Sequence, residues 1–490
     1  TVTAAPPTLD DVRATLDSIG AGSALEPSGS GPTLLSGITH DSRDVAAGDL
    51  FACLPGSRAD GHAFAPAAVS SGAGALLVER RLDPATVDWV PQLIVDDARR
   101  CLGPVAALVH GHPSRGLRTG GITGPNGTTT TAQMLSAILE HAGLQTGVVG
   151  TLHGERTTPE ATDLQRRLRN FADDGCAAAV LEVSSHALAL HRVDGTEFDV
   201  VVFTNLGHDH LDLHGSREEY FRAKASLFVP EFAPVAVINL DDAHGLLLSD
   251  AIAARGDDAM QVVSYSMDDA ADLRLGVDRL FFRWRGVDVK VAIGGRFNVS
   301  NALAALTAAV ELGLDPDEAA AGLDHLPRVP GRFEVVSVPP SGGPTVVVDY
   351  AHTPDGLEEL LETARPLSAG GRLMVVFGCG GERDHAKRPE MGRIAQRLAD
   401  VMVVTSDNPR REDPERIIDD IVGDLDRRYG ARLIRNADRR AAIASALEAS
   451  TTDDVVVIAG KGHETTQDLG SRVVDFDDRV VVRELLEDPS

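Results

Sequence analysis

Lysine is what this 490-residue chain most lacks: only Lys224, Lys290, Lys387 and Lys461 occur, so nearly all of its 46 cationic side chains are arginine. Against them stand 73 Asp and Glu residues, for a formal net charge of −27. That balance argues against duplex nucleic acid and an anionic membrane surface as main partners. It fits a GC-rich genome or a saline cytoplasm equally well. Cysteine is scarce too. Cys53, Cys101, Cys176 and Cys379 show neither metal-ligand spacing nor a disulfide framework, so reduced thiols are expected. No apolar run approaches the length of a membrane span. Thr1 to Gly20 has no charged start followed by an apolar core, so no signal peptide and a cytoplasmic location are expected.

What is present fits two or three domains, each able to bury a core. Three blocks emerge, at 1–112, 113–331 and 332–490. The first mixes short strands and turns. The second holds buried-strand candidates that end in polar residues, Ala177–Glu182 and Val200–Asn205. The third alternates strand candidates (Thr345–Asp349, Leu373–Phe377, Val401–Thr405, Val455–Ala459) with helical patterns at Pro389–Leu398 and Pro414–Leu425. Such alternation predicts an α/β fold built on parallel sheets.

The second block opens on a glycine-rich turn, Gly124, Pro125, Asn126, Gly127, Thr128, Thr129 and Thr130, between the strand-like Leu117–Thr123 and an amphipathic helix. That helix puts Met134, Leu135, Ile138 and Leu139 on one face, with Gly143 where a C-terminal cap belongs. Small residues between a strand and a helix N-terminus let backbone N–H groups close around phosphate oxygens. The usual phosphate loop also carries a lysine that reaches the outer phosphates. Here Thr128 occupies that place.

Polar residues gather at the strand ends, where ligands of open parallel sheets bind. Glu182-Val-Ser-Ser-His186 follows one buried run, and the histidine-rich stretch ending at His214 follows the next. Alone, that stretch reads as surface histidines in a polar loop. Beside a phosphate loop, its oxygen-rich company suits Mg²⁺ better than zinc.

Taken together, these segments resemble the Mur ligases, ATP-dependent amide-forming enzymes of peptidoglycan assembly. The motifs run from Asp41-Ser-Arg43 through Thr157-Thr-Pro-Glu160, Glu182-Val-Ser-Ser-His186 and Thr204-Asn-Leu206. They continue with Arg296-Phe-Asn-Val-Ser-Asn301, Pro330-Gly-Arg-Phe-Glu334 and Asp349-Tyr-Ala-His-Thr-Pro-Asp355. Gly378-Cys-Gly-Gly-Glu-Arg-Asp384, Asp407-Asn-Pro-Arg410 and Gly460-Lys-Gly-His-Glu464 complete the series.

The resemblance implies three domains: one for a UDP-sugar, a central P-loop-type ATPase domain, and a C-terminal Rossmann-like domain for the amino acid. It implies ATP and Mg²⁺ as cofactors. The implied substrates are UDP-N-acetylmuramoyl-L-alanyl-D-glutamate and meso-2,6-diaminopimelate, and a monomer is expected. Carried over by position, Ser42, Ser57, Arg58 and Ala59 meet the UDP moiety. Thr157, Thr158, Ser184 and Arg192 hold the sugar dipeptide. The loop residues 124–130, Asn301 and Arg332 meet the nucleotide, and Thr129, Glu182, His210 and Lys224 (as its carbamate) hold Mg²⁺. Asn205 and His352 join Lys224, Glu182 and His210 as catalytic residues. Arg383, Asp407, Asn408, Pro409, Arg410, Gly460 and Glu464 select diaminopimelate, with the Arg410 fork on its distal carboxylate and Glu464 on its distal ammonium.

Thr128 and Pro125 depart from the family pattern, as do Leu190 and Arg156. The intact cradle and the Thr129 hydroxyl imply that ATP still binds, and that Arg192 or another arginine supplies part of the lost charge. The expectation is a slower, genuine ligase. Rival readings are a catalytically silent member that binds nucleotide-sugar or regulates the pathway, and a ligase for another amino acid.

Overall fold

The structure, a computed structural model, describes residues 6–26, 33–56, 59–207, 216–338, 343–368, 370–426 and 430–487. Its architecture is α/β, with three large, mostly parallel sheets in chain order. The first sheet contains β1 (Ser23–Glu26), β2 (Ile38–Thr39), β3 (Leu50–Ala52), β4 (Ala75–Val78) and β5 (Gln92–Val95), in the order β1-β5-β4-β3-β2. Only β1 runs antiparallel to its neighbour.

The central sheet is wholly parallel. It comprises β6 (Arg118–Thr123), β7 (Thr146–Val149), β8 (Ala178–Glu182), β9 (Val200–Phe203), β10 (Val235–Asn239) and β11 (Gln261–Tyr265), ordered β11-β10-β9-β6-β8-β7. Strands buried on both faces must be apolar throughout, which is why Ala178-Ala-Val-Leu-Glu182 and Val200-Val-Val-Phe203 show no alternation. One face is covered by helices Thr128–His141 and Phe297–Glu311, which also pack on each other. Met134, Leu135, Ile138 and Leu139 are fully buried there, each worth about 1.5–3 kcal/mol relative to exposure. Gly143, at φ 78°, follows the end of the first of these helices, in the left-handed conformation favoured at a helix stop.

A small antiparallel sheet follows, β12 (Ala271–Leu275), β13 (Leu280–Trp284) and β14 (Val287–Val291). The third large sheet contains β15 (Glu334–Ser337), β16 (Thr345–Asp349), β17 (Leu373–Phe377), β18 (Val401–Val404), β19 (Arg432–Arg435) and β20 (Val455–Ala459), ordered β15-β16-β20-β17-β18-β19. All pairs are parallel except β15 with β16.

Element ends differ from the sequence reading where side chains compete for the backbone. Strand β9 stops at Phe203, two residues short of Asn205, because the Thr204 and Asn205 side chains turn to bond Asn126. One helix begins at Lys387 rather than Pro389, since a proline in the first turn removes a donor that has no intrahelical acceptor. The helix starting at Pro414 ends at Val422, before Gly423, rather than at Leu425. Among the described residues no helix is long and apolar enough to cross a membrane.

Candidate active site

The C-terminal ends of β6, β8 and β9 converge on the glycine-rich loop. Gly127 takes φ 80°, and a Cβ there would fall 2.1 Å from Asn301 Oδ1, so only glycine fits. The loop is braced from behind. Asn205 Oδ1 accepts from Asn126 N at 3.3 Å, while Asn205 Nδ2 and Thr204 Oγ1 donate to Asn126 O at 3.1 and 2.9 Å. Thr128 Oγ1 donates to Gly124 O at 2.8 Å, closing the loop on itself.

A cavity of about 320 Å³ lies in front of the loop. Gly124 to Thr130, Thr157, Glu182, Ser184, Lys224, Asn301, Arg332 and His352 all line it, so most of the expected nucleotide, metal and sugar-dipeptide residues share one space. Glu182 is buried and accepts from Thr129 Oγ1 at 2.8 Å, Thr151 N at 2.9 Å and Thr151 Oγ1 at 3.1 Å. Burial pushes its carboxyl up, against those bonds and the nearby Arg332 charge. Lys224 is equally buried, with Nζ 3.4 Å from Thr123 Oγ1 and 4.9 Å from the Tyr220 ring centroid. Thr158 Oγ1 donates to Glu182 O at 2.8 Å and accepts from Ser184 N at 3.1 Å, joining the two motifs.

Three expected residues sit differently. Asn205 clamps the loop and lines an adjacent cavity of about 740 Å³, with Asn239, Met267 and Arg296, instead of the first one. Arg192 is held by the buried Glu160 carboxylate through Nε and donates to Thr158 O at 3.2 Å. It lines neither cavity, which removes it as a source of charge for the loop. Ser42 lies in a turn after β2, beside the Arg43–Asp41 ion pair, and Ala59 O accepts from Gly56 N at 3.1 Å. Ser57, Arg58 and the segment containing His210 lie outside the described residues.

The second constellation forms at the ends of β18 and β20. Asn408 Nδ2 donates to Glu464 Oε2 at 2.9 Å, and Lys461 Nζ donates to the same oxygen at 2.8 Å. The internal Lys461 ammonium thus already faces the carboxylate expected to meet a substrate ammonium. Burial raises the Glu464 carboxyl, but Lys461, Asn408 and His463 together leave the group below its ordinary value. Lys461 is fully buried and also donates to Thr466 O at 2.7 Å. Asp407 is buried beside Gly460, and Arg410 holds φ 52° while Nη1 donates to Gly381 O at 2.7 Å. Arg383 is exposed next to Arg410, both flanking Gly380. Pro409 completes this turn.

The two constellations are linked. Lys387 Nζ donates to His352 O at 2.8 Å, and the Tyr350 ring packs on His463 at 5.0 Å and His352 at 4.7 Å. Thr151, two residues past β7, and Asn239, at the end of β10, belong to no motif and carry only that position as a signal, while Tyr350 lies inside the Asp349–Asp355 motif, which gives it no role of its own. Arg439, which supports Ser406 and Ala459 from below, carries no sequence signal at all.

Comparison with known proteins shows what the chain as a whole is similar to. The model described as "Mur ligase family, catalytic domain" matches residues 34–107, "Mur ligase middle domain" matches 122–309, and "Mur ligase, glutamate ligase domain" matches 331–462. The chain is 43% identical over 470 residues to the UDP-N-acetylmuramoyl-L-alanyl-D-glutamate–2,6-diaminopimelate ligase of Syntrophomonas wolfei, covering 92% of this chain and 94% of that protein. It is 44% identical over 473 residues to the protein of the same name from Gloeobacter violaceus, with the same coverage. A solved structure bearing that name aligns with a TM-score of 0.68 at 33% identity, over 98% of this chain and 99% of the other. With such identity along nearly its whole length, this chain belongs to the Mur ligase family.

Proposed function

We propose that the protein is the ATP-dependent ligase that joins meso-2,6-diaminopimelate to UDP-N-acetylmuramoyl-L-alanyl-D-glutamate in peptidoglycan precursor synthesis. A D-glutamyl carboxylate oxygen bonds to the γ-phosphorus of ATP, and the bond to the β–γ bridging oxygen breaks, releasing ADP. The unprotonated amine of diaminopimelate attacks the acyl carbon. The tetrahedral adduct expels inorganic phosphate and loses a proton, leaving the amide. Such chemistry needs a phosphate cradle, offsetting charge, and an electrophile held in line.

The chain divides that work among units taken as 1–112, 113–331 and 332–490. Loop residues 124–130 and Asn301 bind the nucleotide, with Asn205 fixing the loop. Thr157, Thr158 and Ser184 orient the sugar dipeptide, and Arg192 steadies their segment through Glu160. Ser42 and the turn containing Ala59 meet the UDP end. Hard oxygens from Thr129, Glu182 and a carbamylated Lys224, joined by His210, fit Mg²⁺, since a buried carboxylate is best compensated by a cation. When bound, the ion would supply charge neutralisation at the phosphate oxygens. Asp407 to Arg410, Arg383, Gly460 and Glu464 hold the incoming amino acid, and His352 lies between the two constellations. One chain supplies the whole proposed set, and the proposed state is a cytoplasmic monomer.

The observation that carries this reading is the single cavity shared by the phosphate loop, Glu182, Lys224 and Thr157. Phosphate release by the purified protein tests it, and should require ATP, the sugar dipeptide and diaminopimelate together. No release with all three present would favour a silent, nucleotide-sugar-binding member of the family.

A further inference from the structure

The amino-acid constellation rests on two irregular stretches of backbone, and one buried guanidinium joins them. Arg383 follows Glu382, which adopts φ 54°, and Arg410 itself holds φ 52°. That left-handed conformation is costly for any residue with a Cβ, so both positions need restraint from outside. The two stretches touch. Gly381 N donates to Asn408 O at 2.9 Å, and a Cβ on Gly381 would fall 2.0 Å from Pro409 O. On its other side the Arg410 turn is held by the strand Thr466–Asp468: Arg410 N donates to Asp468 O at 3.0 Å and Gln467 Nε2 to Asp407 O at 2.6 Å.

The Glu382 side has a different anchor. Arg388 lies in the first turn of the helix Lys387–Leu398, with its side chain only 1% exposed. Its Nη2 donates to Gly380 O at 3.2 Å and meets the Glu412 carboxylate at 3.0 Å. Its Nη1 donates to Asp420 Oδ2 at 2.8 Å, on the helix Pro414–Val422. Glu412 also accepts from Glu382 N, and its own N donates to Pro409 O at 3.1 Å. One carboxylate therefore ties the left-handed residue before Arg383 to the turn that carries Arg410. Arg388 Nε is buried with no acceptor. An unfilled buried donor costs stability, so this orientation serves the two loops better than it serves the guanidinium.

We propose that Arg388 and Glu412 are positioning residues for amino-acid selection, fixing the spacing between Arg383 and Arg410. The proposal deepens the ligase reading and rests on it for the identity of the amino acid. Diaminopimelate carries a carboxylate at each end of a short chain, and a cation meets a carboxylate bidentately only over a narrow range of positions, about 0.5 Å wide. Neither positioning residue touches the substrate. They act through the two arginines, by keeping both loops at one separation.

Calorimetric titration of diaminopimelate, with the sugar dipeptide and a non-hydrolysable ATP analogue already bound, tests this without turnover. Glu412→Gln keeps the side-chain volume and an acceptor for Glu382 N but removes the charge opposite Arg388. It should weaken diaminopimelate about 10-fold, the loss expected when a charge-assisted contact is misplaced. The affinity for the ATP analogue should hardly change, because Arg388 and Glu412 line neither loop cavity. Arg388→Lys keeps the charge but cannot reach Gly380 O and Glu412 together, so it should show the same one-sided loss. In an Arg410→Ala background, Glu412→Gln should add less than about 3-fold, since a residue acting through Arg410 has little left to lose. A purely structural role would lower the folded, binding-competent fraction and leave the dissociation constant alone. Unchanged diaminopimelate affinity in either folded variant, or losses that multiply in the double variant, would overturn the proposal. So would an unaltered chain that binds L-lysine as tightly as diaminopimelate. Phosphate release is measured separately: if the binding pattern holds but no phosphate appears with all substrates present, the ligase reading fails and the role of Arg388 and Glu412 stands.

Discussion

Arg439 and Asp478 meet with both side chains fully buried, Nε donating at 2.8 Å and Nη2 at 2.7 Å to the two carboxylate oxygens. The guanidinium also donates to Ser406 O at 3.1 Å and Ala459 O at 3.0 Å. It thereby ties the ends of β18 and β20 together beneath Asp407 and Gly460. Removing one member leaves an uncompensated buried charge, which costs about 3–5 kcal/mol. Asp478→Ala should therefore lower the unfolding free energy of the third unit by about that much, read from a lowered denaturant midpoint. An unmoved midpoint would show that the pair contributes nothing.

Arg410→Ala should raise the KM for diaminopimelate by about 10- to 100-fold, the loss of a charge-assisted contact worth about 1.5–3 kcal/mol. Binding of ATP should hardly change, because Arg410 lies outside both loop cavities. Steady-state kinetics with each substrate varied in turn separates the two. Equal turnover of L-lysine and diaminopimelate by the unaltered chain would refute the proposed selection.

Lys224→Ala should lose most ligase activity and regain part of it with a small added carboxylic acid, which replaces the carbamate oxygens. Carbon-13 NMR after incubation with labelled bicarbonate should reveal the carbamate directly. Full activity of Lys224→Arg would contradict the assignment, since a guanidinium cannot form that group.

The parallel sheets were legible because doubly buried strands leave unbroken apolar runs. Thr345–Asp349, Leu373–Phe377 and Val455–Ala459 lie where those runs predict. The loop cavity was legible because Glu182 belongs to a motif at a strand end and the Thr157 segment to one of the motifs that carry the family resemblance. What stayed hidden depends on distance in the sequence. Nothing near Arg192 announces that Glu160 holds it. Lys461 beside Glu464 is visible as a motif, yet their ion pair depends on how the turn folds.

Asp454 offers a pH-dependent check on the third unit. It accepts from Arg372 N at 2.7 Å, Arg372 Nη2 at 2.6 Å and Thr451 N at 2.8 Å. Burial raises its carboxyl, but these partners prevail and bring it to about 2 from an ordinary 3.8. A lowered carboxylate stabilises the fold above its unfolded value and loses that contribution as pH falls through the folded one. Asp454→Asn should therefore cost on the order of 2 kcal/mol at pH 7, with the difference from the unaltered chain closing between pH 4 and about 2. Denaturant unfolding at several pH values reads this out, and a difference that is constant with pH would rule it out.

The rarity of lysine has a practical consequence for chemical labelling. Lys224 and Lys461 are buried, and Lys387 is turned onto the His352 carbonyl between the two constellations. Lys290 alone stands apart from the site, paired with Asp324 at 2.7 Å. Acylating reagents that would decorate the surface of an ordinary protein thus find one lysine amine here that is remote from the chemistry. Any further lysine adduct, or its disappearance when substrates are added, reports on the catalytic interior itself.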